Sequence, residues 1–202
     1  RMKKIYLSIL SATISMGAFA QMQLENPGFE TWDNVSSDTR EPQQWSSIKT
    51  GGGNATTPAV FVVDRSTAVR PGTSGTYSAV VETKNWNIVI LNVDVNGILT
   101  NGRVEAPTTT PSDGYNRTKP DDEEFKTSFA DYPDTLIAWV NYEPAGSDNG
   151  RVQCIVHNIS GTGLTAGTMG PFPENGGSQG KNAPQTIAKA EMDLTANTGG
   201  WS

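Results

Sequence analysis

Apolar and polar residues alternate along this chain in short runs, and no stretch carries the three-to-four spacing of an amphipathic helix. Residues 76–83 alternate behind the turn cluster Pro71-Gly72-Thr73-Ser74-Gly75. Over 135–142, Leu136, Ala138, Val140 and Tyr142 fall on one face, and Ile137, Trp139 and Asn141 on the other. Residues 151–157 repeat the pattern with Val152, Cys154 and Val156 inward, so the 143–150 loop closes a predicted hairpin between these two runs. In 187–194, Ala188, Ala190, Met192 and Leu194 alternate with Lys189, Glu191 and Asp193. Those residue types favour helix, but a period of two is the pattern of a half-buried strand, and a strand is predicted. Residues 59–63 and 88–95 read as further strands. The second runs into Asn96-Gly97, a pair that tolerates left-handed backbone and marks a tight turn, with Ile98-Leu99 beginning the return.

Glycine (21) and proline (12) cluster between these runs, as in antiparallel sandwiches or barrels built from short strands. The fold class is therefore all-β. Two stretches, 106–124 and 161–184, are longer than ordinary sandwich connections and read as binding loops or mobile segments. The final Gly199-Gly200-Trp201-Ser202 brings no closing strand, so the sandwich is expected to be truncated here and to continue past residue 202.

The start of the chain carries a secretory signal over residues 2–20. Met2-Lys3-Lys4 is a positive head, residues 5–19 are mostly apolar, and Ala18-Phe19-Ala20 sets small side chains for a cut between Ala20 and Gln21. The apolar run falls short of the roughly 20 residues of a bilayer span. No cysteine stands directly after the cut, where Gln21 is found, which argues against a lipid anchor. The expected mature protein is one domain, 21–202, secreted or at the cell surface and not membrane-spanning after cleavage. Removing Arg1, Lys3 and Lys4 from the 15 basic residues leaves 12 against 21 acidic, a net charge of −9. Such a surface does not attract nucleic acid. The single Cys154 has no intramolecular partner and reads as a small buried apolar residue.

Little catalytic chemistry is visible. His157, the one histidine, lies on the outward side of its strand and is read as a surface residue, without a nucleophile elbow for a triad. One histidine and one cysteine do not make a zinc site. Asp121-Asp122-Glu123-Glu124 follow one another in a Pro-bounded loop, unlike the two opposed carboxyls of a glycosidase. Asp121, Asp122 and Glu123 could hold a structural calcium ion, and a hydrated acidic turn is the alternative. No other cofactor and no catalytic residue is expected. Trp86 between Asn85 and Asn87 has the composition of a sugar-stacking site, and Trp139 and Tyr115 are further carbohydrate-binding candidates.

The segment behind the cleavage point is the most specific feature. Leu24-Glu25-Asn26-Pro27-Gly28-Phe29-Glu30-Thr31-Trp32, then Glu41-Pro42-Gln43-Gln44-Trp45-Ser46-Ser47, resembles exported proteins of Bacteroidetes-type bacteria. It is similar in particular to the carbohydrate-metabolism domain family known as PCMD and to related jelly-roll carbohydrate-binding modules. Tyr77-Ser78-Ala79 and the Tyr142-Glu143-Pro144-Ala145-Gly146-Ser147-Asp148 turn add to that resemblance. It implies a jelly-roll sandwich with further strands after residue 202, glycan or surface-polysaccharide binding, and export that for many such proteins follows the type IX route. The rival expectation is a structural or adhesive surface protein, or a secretion-system partner or cargo, without a sugar site. Phe29 and Trp45 read as core residues at one end of the sandwich. Trp32, across the strand from Phe29, is left open between packing and exposure.

Overall fold

The computed structural model describes residues 24–54, 62–88, 91–106, 108, 110, 113–119, 122–130, 132–157 and 186–202. The signal segment with its Ala20–Gln21 junction, residues 59–61 of a predicted strand, Asp121, and the 161–184 stretch lie outside the described residues.

The described residues are mostly β. The strands are β1 (Trp32–Asp33), β2 (Glu41–Pro42), β3 (Val63–Ser66), β4 (Ser78–Val81), β5 (Lys84–Ile88), β6 (Leu91–Val95), β7 (Arg103–Glu105), β8 (Tyr115–Arg117), β9 (Gly150–His157) and β10 (Thr186–Leu194). A 3-10 turn, Glu123–Phe125, interrupts the strands between β8 and β9. The strands pair as antiparallel two-stranded ladders, β1 with β2, β3 with β4, β5 with β6, β7 with β8 and β9 with β10. Among the described residues, none of these ladders joins another into a wider sheet.

The opening motif folds through its own side chains. Asn26 takes positive φ (44°), which a short amide side chain tolerates. Its Nδ2 donates to the carbonyls of Thr31 (2.9 Å) and Gln43 (3.0 Å), tying the opening motif to the open end of the β1–β2 ladder. Phe29 also takes positive φ (55°), unusual for a bulky residue. Three contacts hold it there. Its N–H donates to the Asn26 carbonyl (3.1 Å), its carbonyl accepts from Trp32 Nε1 (2.6 Å), and its ring meets Trp45 edge-on at 5.1 Å. Glu30 then reaches the 71–77 turn, where its carboxylate accepts the N–H groups of Thr76 (3.0 Å) and Tyr77 (3.3 Å).

Trp32, Val62 and Val63 form the buried centre, with Phe29, Ile48, Ala79, Trp86, Val95 and Leu99 packed around it. Trp32 is thus a core residue, which settles its orientation. Single bridges join the segment after β2 to the chain around β7: Ser46 and Thr100 exchange backbone bonds of 2.7 and 3.0 Å, and Gly52 bonds Val104 and Ala106 at 2.8 Å each. Glu105 lies so close over Gly52 that a Cβ there would meet its carboxylate.

Two predicted elements fold differently. The 88–95 run is split by a chain reversal, because Ile88 and Leu91 are paired directly and β5 returns as β6. Asn96-Gly97 makes no hairpin. Gly97 instead abuts the Glu82 backbone, where a Cβ would stand 2.6 Å from the carbonyl carbon. The 135–142 run forms no ladder with β9, whose partner is β10 over nearly its whole length. Val140 exchanges two backbone bonds with Ser202 (3.0 and 2.9 Å), and Thr198 N–H donates to the Tyr142 carbonyl at 3.0 Å. The 187–194 alternation is a strand as its period requires: longer-range pairing with β9 overrides the helical propensity of Ala, Lys and Glu.

Candidate functional site

The β5–β6 hairpin separates Trp86 from its two asparagines. Side chains alternate across a strand, so Trp86 turns to the Trp32–Val62–Val63 core while Asn85 and Asn87 are exposed on the other face. Asn85 Nδ2 donates to Asn92 Oδ1 (2.6 Å) and Asp94 Oδ1 (2.8 Å), giving that face a ladder of amides and one carboxylate without an aromatic partner. Tyr115 is half-buried in β8, opposite Glu105 in the register. Trp139 differs from both. It is 54% exposed, and the Arg70 guanidinium lies over its ring, 4.3 Å from the centroid. Tyr132 (78% exposed) and Ile137 (67% exposed) belong to the same segment.

The acidic loop is occupied by lysines. Asp122 caps the Glu123–Phe125 turn by accepting Glu124 N–H at 3.2 Å, and its other oxygen pairs with Lys119 Nζ at 2.7 Å. The hydrogen bond from Lys119 holds the Asp122 carboxyl below the usual carboxylate range. Glu123 pairs with Lys126 at 2.7 Å. Among the described residues, no group of three or more His, Cys, Asp or Glu gathers as a metal site would require.

A buried polar cluster around β2 carried no expectation. Glu41 is 6% exposed, and its carboxylate accepts from Ser47 N–H (2.9 Å), Ser47 Oγ and Thr50 Oγ1. Burial pushes its carboxyl up, against the pull of those donors. Lys49, 3% exposed, donates to the carbonyls of Arg40 (2.5 Å) and Val63 (3.1 Å), and burial lowers its ammonium. The sequence signal was the spacing of Glu41, Ser47 and Thr50, which is visible only once the chain is known to turn back on itself after β2. Beside this cluster lies a small pocket of about 250 Å³ whose lining includes Asp33, Glu41, Trp45, Arg103, Glu124 and Phe125.

His157 departs from the surface position expected of it. It is half-buried, its Nε2 lies 2.8 Å from Thr118 Oγ1, and burial lowers its imidazole. Cys154 is half-buried and burial raises its thiol, the behaviour of a packing residue rather than a reactive one. A broad trough of about 2570 Å³ runs between the ladders and is several times too large for one small ligand.

The chain matches no protein-family model, no curated protein and no solved structure.

Proposed function

We propose that this is an exported, non-catalytic surface protein of jelly-roll type that binds glycan, close in kind to the PCMD-like modules its opening motif resembles. The single observation carrying the reading is Trp139. Arg70 covers one face of the Trp139 ring, yet the side chain stays 54% exposed with the exposed Tyr132 in the same segment, which is the chemistry of a platform on which a sugar face stacks. The antiparallel β-rich architecture is compatible with the jelly-roll assignment, which rests on the resemblance of the opening motif. A glycan array on the secreted form tests it, with Trp139→Ala and Trp86→Ala as comparisons. Binding to a polysaccharide that Trp139→Ala abolishes supports the reading, and an array without any bound glycan refutes it.

One observation favours the structural or adhesive alternative. The long β9–β10 ladder leaves Ile187 and Met192 each 47% exposed, and its outer edges carry no third strand among the described residues. Such edges accept strands from other chains. An empty array together with concentration-dependent self-association would select this reading.

A further inference from the structure

We propose that the 250 Å³ pocket beside β1 and β2 is a second binding site, built for one neutral, hydroxyl-rich ring of the size of a single terminal sugar. The proposal takes its ligand class from the glycan reading, but it rests on different residues from Trp139.

Size comes first. Sites for drug-sized ligands run to about 300–1,000 Å³, so a pocket just below that range suits one small ring and excludes an oligosaccharide lying along it. The wall is held rigid from below. Thr50 joins two of the lining groups: its Oγ1 donates to buried Glu41, and its carbonyl accepts from Arg103 Nη2 at 3.1 Å. The Arg103 guanidinium is further positioned over buried Phe125, 4.8 Å from the ring centre. Trp45 is fixed by its own two contacts, its Nε1 donating to the Glu25 carbonyl (3.0 Å) and its ring set edge-on to Phe29.

Charge then selects the ligand. Asp33 and Glu124, both exposed, add carboxylates at the pocket, and Asp33 is steadied by Gln43 Nε2 at 2.8 Å. An anionic ligand would meet these carboxylates. A cationic one would meet Arg103. A neutral polyol meets neither penalty, because each of its hydroxyls can donate to a carboxylate and accept from the guanidinium. The half-buried Trp45 ring suits the apolar C–H face of such a ring, while Phe125 lies buried beneath Arg103 and supports it.

Saturation-transfer NMR on the full chain tests the site, using a panel of methyl hexosides and methyl N-acetylhexosaminides at millimolar concentration. At least one should give signal, its affinity falling tenfold or more in Arg103→Met and severalfold in Glu124→Gln, while Trp139→Ala leaves it unchanged. The methionine keeps the stem over Phe125. Glu124 is exposed, so its variant decides the matter if Arg103→Met fails to fold. No signal from the panel, or signal indifferent to both substitutions, overturns the proposal. Polysaccharide binding that depends on Trp139 while no methyl glycoside binds would overturn the pocket and leave the Trp139 platform standing. Methyl-glycoside binding lost in Arg103→Met without polysaccharide binding would do the reverse.

Discussion

Arg40 grips Asp64 with two parallel hydrogen bonds, Nε to Oδ1 at 2.6 Å and Nη2 to Oδ2 at 2.8 Å, across 24 residues of chain. The fork fastens the approach to β2 onto β3. The Arg40 hydrogen bond holds the Asp64 carboxyl below its ordinary 3.8. A carboxyl depressed in the folded state stabilises above its unfolded value, and that contribution is lost as pH falls through the folded one. Asp64→Asn should therefore cost stability at pH 7 and nearly nothing well below 3.8. With side chains 27% and 37% exposed, the loss at neutral pH should be about 1 kcal/mol. Urea unfolding at both pH values reads it, and an equal loss at both would refute the assignment.

Glu41 titrates with the opposite sign. Burial raises its carboxyl above 4.5, so the folded state holds a proton that the unfolded state has released. Its contribution is complete below 4.5 and declines as pH climbs through the folded value. Glu41→Gln should flatten that decline, seen as a smaller fall in melting temperature between pH 4 and pH 7. Glu41→Ala removes the acceptor of Ser47 and Thr50 and should cost about 3 kcal/mol.

Trp32 contributes by packing and by one hydrogen bond, and two substitutions separate these. Trp32→Ala empties the centre between Val62 and Val63 and should cost about 3–5 kcal/mol. Trp32→Phe keeps most of the packing but leaves the Phe29 carbonyl without its donor, for about 1–2 kcal/mol. Denaturant midpoints of the pair give the two parts. Equal losses would mean that Trp32 Nε1 carries the whole effect.

Gly97 is required for close approach and not for a turn. A Cβ there would stand 2.6–2.7 Å from Glu82 backbone atoms, which cannot move aside as a flexible side-chain end would. Gly97→Ala should destabilise by about 1–3 kcal/mol, measured by thermal melt. Gly146 has open space around it but positive φ (70°), so Gly146→Ala tests backbone strain alone.

How much of this was legible in sequence follows from where the physics is local. Strands β4, β9 and β10 showed as alternation, because a strand with one half-buried face writes its period into the chain. The reversal between Ile88 and Leu91 was hidden inside an apolar run without Gly, Asn or Pro to punctuate it. Asn96-Gly97 carried a turn signal, yet the glycine serves the Glu82 contact instead. Partner choice for β9 was misjudged because adjacency favours a local hairpin with 135–142, whereas the observed pairing with β10 spans a longer connection. Trp139 was legible as a candidate, but its exposure was not, since nothing in an alternating run says which face meets water. The Glu41–Ser47–Thr50 cluster left only a spacing that has no meaning until the chain is known to turn back after β2: buried polar residues look like surface ones until their partners are known.

The central claim is that an exposed Trp139 stacks on glycan. Isothermal titration of the best array polysaccharide into wild type, Trp139→Ala and Trp139→Phe tests it most directly. Nearly half of the side chain is buried and Arg70 lies over its ring, so Trp139→Ala should cost about 1–3 kcal/mol, and each variant is first checked for folding by its thermal melt. Binding should weaken at least tenfold in Trp139→Ala and be largely retained in Trp139→Phe. Unchanged affinity in a folded Trp139→Ala protein would contradict the account.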